Sequence, residues 1–335
     1  MSRWSRGLKT PQTINLLLLV IIIILLIDVA EHTMSCNKYS IGLLSRQNTV
    51  HIRSKVLRRA IFAAQAFYEK RQAGFTDHIP SIIHQIWYDW DKAMPPQVSR
   101  SVESFQQWNP HATRLLWRRK DLDELVEHFY PWLNNLFSRL PSAILKADFL
   151  RFLLLQQFGG VYSDIDTLCL KPAYEWSNGR SNVSLITGYE ASLRDDMMWQ
   201  THPNMAKPLA RDVQLASWTV AAAPLHPLVV RLVHGCVSKL GNMTSDEWVE
   251  YDVLEFAGPG AWTDVILDYI RSFGYTEDDI YRAQRPIQVS DVYILPAAGF
   301  RWESNGDEKW ACIRHTFLGS WKSPSREKSN RIQSA

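Results

Sequence analysis

Apolar residues follow two patterns along this chain, one continuous near the N-terminus and one interrupted further on. Ile14–Ala30 holds only two polar residues, whereas from Ile79 onward short apolar runs alternate with apolar or amphipathic stretches of helical length. The short runs predict strands at 81–87, 113–117, 161–165, 185–190 and 292–295. The longer stretches predict helices at 98–108, 121–129, 142–158, 227–240 and 264–272. Strands that alternate with helices predict an α/β fold with a parallel sheet of the nucleotide-binding type.

The continuous N-terminal run predicts a membrane anchor. At about 1.5 Å per helical residue, Ile14–Ala30 reaches roughly 25 Å, which suffices for a thin bilayer. Basic residues precede the run and acidic residues flank its end, so we expect a cytoplasmic N-terminus and a lumenal body. A cleaved signal peptide is the alternative, but the run is longer than usual for one and no small-x-small site follows closely. The pattern therefore favours a single-pass type II membrane protein.

The same pattern divides the chain into five segments. They are a cytoplasmic tail at 1–13, the anchor at 14–30, a stem at 31–78, a single folded domain at 79–322 and a polar tail at 323–335. Within the stem, His51–Arg71 is basic and moderately amphipathic. We interpret it as a solvated spacer, with a basic helix on the membrane surface as the alternative.

Composition narrows the function classes. The chain has 335 residues, 46% of them hydrophobic and 21% charged, with a net charge of +3. These values are typical of a globular protein and give no argument for a nucleic-acid partner. The sequence has no GxSxG elbow, HExxH pair, Walker loop or dinucleotide fingerprint, so several common catalytic and nucleotide sites are excluded.

Two features bear on a lumenal location. Asn182 and Asn242 each begin an N-x-Ser/Thr sequon and are predicted glycosylation sites. Four cysteines lack CxxC or zinc spacing, namely Cys36, Cys169, Cys236 and Cys312. An oxidising lumen would allow one or two disulfides, and buried free thiols are the alternative.

The segment 146–166 carries the candidate chemistry. Asp148 and Arg151 lie three residues apart in the apolar helix, hence on one face, and Gly159-Gly160 ends that helix. Asp164 and Asp166 follow in the predicted strand, where the period of two places both carboxylates on one side. Two like charges this close favour a cation between them, and a hard divalent ion such as Mn2+ or Mg2+ fits best. For Asp148 and Arg151, a buried structural ion pair is the alternative.

The order ADFLR-x7-GGVYxDxD in this segment resembles family 32 glycosyltransferases, most of all the fungal initiation-specific α-1,6-mannosyltransferases. Other matching pieces extend the resemblance over about 79–321, namely 83–87, 188–190, 258–260 and 315–321. The resemblance implies a GT-A-type (Rossmann-like) catalytic domain and a nucleotide-sugar donor, with Mn2+ or Mg2+ as cofactor.

The resemblance also implies roles for individual residues. Asp166 would bind the metal directly, and Asp164 would contact the donor ribose or the metal. Asp148 and Arg151 would hold the sugar hydroxyls and the diphosphate. Tyr162 would line the pocket, and Trp87 would stack on the nucleobase. A C-terminal loop with His315, Ser320 and Trp321 would close over the metal and the pyrophosphate.

By the same resemblance, we expect a Golgi type II enzyme that transfers mannose from GDP-mannose, in α-1,6 linkage, to an N-glycan core. The anomeric configuration would be retained, and Glu190, Asp195 and Asp196 are the acids available if a nucleophile is used. Alternatives within the family are inositol phosphoceramide as acceptor, or UDP-galactose or UDP-GlcNAc as donor. Alternatives of other classes are a metal-dependent phosphohydrolase and a non-catalytic lumenal subunit of a mannosyltransferase complex.

Overall fold

An eight-stranded β-sheet with helices packed on it and a small two-stranded sheet form the described part of the chain. The computed structural model describes residues 51–75, 77–87, 93–195, 209–243, 253–300 and 309–316. The predicted anchor at 14–30 and the polar tail at 323–335 lie outside these ranges. Within the ranges, no helix combines the length and the apolarity that crossing a membrane requires.

The strands and helices of these ranges are numbered in chain order. The strands are β1 (Ile82–Ile86), β2 (Thr113–Trp117), β3 (Gly160–Ser163), β4 (Thr167–Cys169), β5 (Leu185–Ser192), β6 (Val213–Leu215), β7 (Thr219–Ala222), β8 (Ile287–Val289), β9 (Val292–Leu295) and β10 (Ile313–His315). The helices are α1 (Lys55–Gln72), α2 (Pro96–Trp108), α3 (Arg119–Phe129), α4 (Asn134–Ser138), α5 (Ala143–Phe158), α6 (Pro227–Asn242), α7 (Val253–Phe256), α8 (Pro259–Arg271), α9 (Glu277–Tyr281) and α10 (Ala297–Phe300).

The α/β prediction is confirmed, but the sheet is mixed and the prediction of a parallel sheet is wrong. The strand order is β2-β1-β3-β7-β5-β9-β8, with β6 paired to β5. β1 is parallel to β2 and β3, and β5 is parallel to β9. β7 lies between β3 and β5 and runs antiparallel to both. The sequence pattern predicted no strand in 213–223, so it did not reveal this reversed strand.

Because β1, β3 and β5 run in one direction, their carboxyl ends lie at one edge of the sheet. Trp87 follows β1, Asp164 follows β3 and Glu190 lies near the end of β5. The amino end of β7, with Trp218 just before it, lies at the same edge because β7 is reversed. This edge is where ligands bind in open α/β sheets.

Helix α5 leads the chain to that edge. The Ser142 hydroxyl accepts a hydrogen bond from the Leu145 amide at 3.3 Å and so caps its first turn. The helix is apolar on nearly all sides and is buried between the sheet and helices α6 and α7. It ends at Gly159 (φ +63°) and Gly160 (φ +94°), and a Cβ on Gly160 would lie 2.4 Å from the Ile82 carbonyl oxygen. Glycine is therefore required for the chain to turn from α5 into β3 beside β1.

A buried histidine ties this turn to the sheet. The His84 Nε2–H donates to the Gly159 carbonyl oxygen at 2.9 Å, and the Trp117 Nε1–H donates to His84 Nδ1 at 3.0 Å. The imidazole packs nearly parallel to the rings of Trp117 and Phe158, at centroid distances of 5.9 and 6.2 Å. Both ring nitrogens are thus used in the neutral form. Burial lowers the pKa of His84 to about 4, although the hydrogen bond to Gly159 opposes that shift.

Helix α1 belongs to the folded unit, so its interpretation as a solvated spacer within the stem is wrong. Its inner face is buried, with Leu57, Ala60, Ile61 and Ala64 packed inside. The amides of Arg53 and Ser54, just before it, donate to the Glu124 carboxylate on α3 at 2.6 and 2.7 Å. Small alanines let the helix approach the domain closely, which the broken amphipathic pattern did not indicate. The other segment boundaries stay predictions.

The His84 contacts predict a pH-dependent contribution to stability. An unfolded histidine titrates near pH 6.5, so between pH 6.5 and about 4 the unfolded chain binds a proton that the folded chain excludes. The free energy of unfolding should therefore fall by roughly 3 kcal/mol over this window as the pH decreases. His84→Gln should remove most of that slope, as measured by urea unfolding at several pH values.

His234, which is exposed on α6, provides the matched control. His234→Gln should leave the slope as in the unsubstituted protein. A slope that is equally steep in His84→Gln would show that His84 does not carry this effect.

Candidate active site

The two acidic residues of the DXD sequence lie in a turn held from both sides. Strand β3 ends at Ser163, so the prediction that Asp164 and Asp166 project from one strand is wrong. The Asp164 amide donates to the Trp218 carbonyl oxygen at 2.8 Å, and the Thr316 amide donates to the Asp166 carbonyl oxygen at 2.9 Å. In this turn the two carboxylates converge. Two side chains that alternate along a strand would have lain further apart.

His315 joins the two carboxylates. Antiparallel pairing of β10 with β4 places His315 opposite Thr167, directly after the turn. Ligand atoms of Asp164, Asp166 and His315 all lie within 4.8 Å of one another. The His315 Nε2 atom lies 3.5 Å from the Asp166 carboxylate. Two carboxylates and an imidazole this close together are a donor set that fits a divalent cation.

The guanidinium of Arg151 lies next to this cluster. Nη2 is ion-paired with Asp148 and lies 3.4 Å from the Asp164 carboxylate. Nη1 donates to the carbonyl and hydroxyl oxygens of Ser217 at 3.0 and 3.2 Å. Burial opposes the charge of Arg151, but the carboxylates of Asp148 and Asp164 outweigh it and raise the guanidinium pKa above its usual value. Arg151 therefore stays charged and fixed in direction.

The Tyr162 ring packs against the guanidinium of Arg151. The Arg151 Cζ atom lies 5.1 Å from the centre of the Tyr162 ring, within the range of a cation–π contact. The Tyr162 hydroxyl donates to an Asp164 carboxylate oxygen at 2.7 Å. Burial and the neighbouring Asp164 charge raise the pKa of Tyr162 well above its usual value, so the hydroxyl keeps its proton for this bond.

The site carries an excess of negative charge. Burial raises the pKa of Asp148 to about 7, although the charge of Arg151 opposes the shift. Even with Asp148 protonated, the two DXD carboxylates outnumber the single guanidinium. A bound divalent cation would reverse that excess and prepare the site for an anionic ligand.

Six predicted site residues are thus brought together: Asp148, Arg151, Tyr162, Asp164, Asp166 and His315. Trp87 follows β1 at the same edge of the sheet, and its side chain is buried with no hydrogen-bond partner for Nε1 among the described residues. Its role in nucleobase stacking stays a prediction. Ser320 and Trp321 lie outside the described residues.

The acidic residues considered as nucleophiles differ in their surroundings. Glu190 lies at an irregularity in the β5–β6 pairing and accepts a hydrogen bond from Gln214 at 3.0 Å. Asp195 accepts bonds from the hydroxyls of Tyr189 and Tyr281 at 3.0 and 2.8 Å. Asp196 lies outside the described residues.

The remaining predicted modifications are compatible with the structure. Asn182 and Asn242 are both exposed, and their glycosylation stays a prediction. Within the described ranges, three cysteines are free and buried, namely Cys169, Cys236 and Cys312. Burial raises their thiol pKa values to about 12, so they are unreactive packing residues in this structure. Cys36 lies outside the described residues.

Ser217 and Trp218 are contacts that sequence reasoning missed. They link β6 to β7 and reach Arg151 and Asp164 across a separation of more than fifty residues. Neither lies in a recognisable motif. A tryptophan in the apolar 213–223 segment also looks like any other core residue.

The comparisons with known proteins address the same region. A family model described as "Glycosyltransferase sugar-binding region containing DXD motif" matches residues 69–183, which include the DXD turn, Asp148 and Arg151. This part of the chain is therefore similar to the sugar-binding region of DXD-motif glycosyltransferases. The match agrees with the predicted glycosyltransferase, and the activity of the whole chain stays a proposal.

Several curated relatives of this chain are described as mannosyltransferases. The chain is 34% identical over 211 residues to an initiation-specific α-1,6-mannosyltransferase of Schizosaccharomyces pombe, covering 57% of this chain and 50% of that protein. It is 27% identical over 286 residues to the Candida albicans protein of the same description, covering 71% of each. An inositol phosphoceramide mannosyltransferase of S. pombe is 32% identical over 102 residues, covering 30% of this chain and 31% of that protein. The first of these matches spans only half the length of the relative.

Because the Asp148–Arg151 pair is buried, we expect removal of the Arg151 guanidinium to lower the stability of the fold strongly. Arg151→Met should lower the free energy of unfolding by about 3–5 kcal/mol, because it leaves a buried carboxylate without its partner. Arg282→Met removes an exposed partner of Asp278 at 3.5 Å and should cost under about 1 kcal/mol. Urea unfolding monitored by tryptophan fluorescence measures both.

The double variant Asp148→Asn/Arg151→Met tests the cause. It should regain part of the stability that Arg151→Met loses, because no uncompensated charge remains at position 148. Equal losses in Arg151→Met and Arg282→Met would contradict the account.

Proposed function

We propose that this protein is a retaining α-mannosyltransferase that uses GDP-mannose and a divalent cation, Mn2+ or Mg2+. The observation that carries the proposal is the cluster of Asp164, Asp166 and His315, with ligand atoms within 4.8 Å, beside the fixed guanidinium of Arg151. The mannosyltransferase relatives support mannose as the sugar. The position of the cluster at the carboxyl edge of the sheet supports a GT-A-type organisation of the domain.

The proposed reaction replaces a diphosphate with an acceptor hydroxyl. The bond from the mannose anomeric carbon to the β-phosphate oxygen of GDP breaks, and a bond from that carbon to the acceptor oxygen forms. The hydroxyl proton is released, and GDP leaves with the electron pair. A bound cation supplies positive charge opposite the leaving diphosphate.

The residues of this chain would assist by position and charge. Arg151 is held by Asp148 and Ser217, so it offers a guanidinium to the diphosphate with little reorganisation. Because the pKa of Asp148 is raised to about 7, both of its forms are available to a sugar hydroxyl. The ionised carboxylate would accept a hydrogen bond from that hydroxyl, and the protonated carboxyl group would donate one to it. Tyr162 keeps the Asp164 carboxylate oriented.

The acceptor and the cellular location form the finer part of the proposal. Relatives described as initiation-specific α-1,6-mannosyltransferases support an α-1,6 linkage, and the N-glycan core acceptor is what the sequence resemblance implies. The apolar run at 14–30 and the exposed Asn182 and Asn242 support a Golgi type II protein with a lumenal catalytic domain. Participation in a mannosyltransferase complex is a further part of this proposal.

Inositol phosphoceramide is the second candidate acceptor. It is favoured by the 32% identical S. pombe relative, although that similarity covers less than a third of this chain. Both candidates predict the same donor site, so only the acceptor distinguishes them.

The test is a transfer assay with the full-length protein in detergent. GDP-mannose, UDP-galactose and UDP-GlcNAc are each offered with Mn2+ to an N-glycan core oligosaccharide or to inositol phosphoceramide. We expect turnover of GDP-mannose on the N-glycan, an α-1,6 product by NMR, and loss of activity with EDTA. Asp166→Ala should lower the rate at least about a hundredfold, because charge stabilisation of the leaving diphosphate is lost.

Asp123→Asn, a change at an exposed carboxylate on α3, serves as the control and should keep full activity. Turnover of a UDP-sugar would overturn the donor assignment, and transfer only to inositol phosphoceramide would overturn the acceptor. Hydrolysis of phosphoesters without sugar transfer, or no turnover of any donor, would contradict the proposed transferase.

A further inference from the structure

The three-residue link between β6 and β7, Ala216–Trp218, contacts three separate parts of the site. Ser217 accepts hydrogen bonds from Arg151. The Trp218 carbonyl oxygen accepts from the amide of Asp164 at 2.8 Å. The Trp218 indole packs edge-on against the His315 imidazole, with ring centroids 4.5 Å apart and an interplanar angle of 70°.

Trp218 is therefore in contact with two of the three candidate cation ligands. Its side chain is 5% exposed and is held from behind by Phe300, at a centroid distance of 6.0 Å. Phe300 in turn leaves no room for a side chain at Gly188 on β5, where a Cβ would lie 2.8 Å from the Phe300 ring. The indole of Trp218 thus packs against the closely packed Phe300 ring, and the His315 imidazole packs against the indole.

The orientation of His315 matters because only one direction brings Nε2 towards Asp166. That atom lies 3.5 Å from the Asp166 carboxylate while the ring makes its edge-to-face contact with Trp218. Rotation of the imidazole out of this position would lose both contacts. Groups that orient metal ligands without touching the metal typically affect metal affinity by about 10–100-fold.

We propose that Trp218 is a positioning residue for the divalent-cation site, acting through the His315 ring and through the amide of Asp164. This inference rests on the proposed function only in requiring a cation at Asp164, Asp166 and His315. It is independent of the donor sugar and the acceptor.

Trp176 shows what a purely structural tryptophan does in the same core. It is 1% exposed and packs on the same Phe300 ring, at 5.4 Å. Its indole N–H donates to the Lys171 carbonyl oxygen at 3.2 Å. Because Trp176 shares the core contact but lies against Lys171 rather than His315, it is a matched control for loss of packing.

The experiment measures Mn2+ binding directly, by calorimetry on the full-length protein without any nucleotide sugar. Trp218→Leu should raise the dissociation constant for Mn2+ about 10–100-fold, because the His315 ring loses its support. Trp218→Phe keeps an aromatic surface against His315 and should stay within about threefold of the unsubstituted protein. Trp176→Leu should also stay within about threefold, although it lowers the free energy of unfolding comparably.

Coupling to His315 separates positioning from a general loosening of the core. In a His315→Ala background, Trp218→Leu should add less than about threefold, because the ring that the indole supports is already absent and the backbone bond to Asp164 is kept in both variants. If Trp218→Leu does not fold, Trp218→Met replaces it, since it keeps apolar bulk but removes the aromatic ring.

Three results would overturn the proposal, and the first two are distinguishable from failure of the proposed function. Equal Mn2+ affinity in Trp218→Leu and the unsubstituted protein, or equal weakening by Trp176→Leu, would sink the role of Trp218 alone. Absence of Mn2+ binding in the unsubstituted protein would sink the cation site, and the role of Trp218 with it.

Discussion

The buried guanidinium of Arg151 is the interaction on which the rest of the site depends. It connects helix α5, through Asp148, to the β6–β7 link, through Ser217, and to the DXD turn, through Asp164. A buried charge of this kind is costly unless each of its donors is satisfied. Among the described residues, its two terminal nitrogens find partners on three separate segments of the chain, whereas the buried Nε has none. The same contacts that offset the cost also give the group a fixed direction.

That arrangement requires the chain to turn sharply from α5 into β3. The turn is made by Gly159 and Gly160, both with positive φ, and Gly160 passes the β1 backbone too closely for any side chain. His84, on the same strand β1, also holds the turn through the Gly159 carbonyl oxygen. Fold and site are therefore built on one junction. The DXD turn that follows β3 carries more carboxylates than cationic groups, and this excess of negative charge favours binding of a cation.

Much of this junction could be predicted from the sequence because its parts are local. The apolar stretch at 142–158, the two glycines and the carboxylates after them follow one another directly, and each has a defined conformational consequence. The same local order carried the family resemblance. The structure differs by ending β3 at Ser163, so that the carboxylates converge from a turn.

The parts that sequence did not reveal are those brought in from a distance. Strand β7, Ser217 and Trp218 arrive more than fifty residues after the DXD turn, and their short apolar segment carries no motif. Helix α1 was misread because its packing depends on small alanines that fit against the domain, and not on a wide apolar stripe. Long-range contacts of this kind depend on the topology of the sheet, which local periodicity does not determine.

The central claim is that Asp164, Asp166 and His315 together bind a divalent cation against which Arg151 presents a nucleotide-sugar diphosphate. The most direct measurement is a crystal structure of the protein with Mn2+ and GDP, in which anomalous scattering locates the manganese. We expect one strong peak, at a manganese ion coordinated by these three side chains. The GDP diphosphate should lie between the manganese and the Arg151 guanidinium. A manganese peak bound by other residues, or a diphosphate bound away from Arg151, would contradict it.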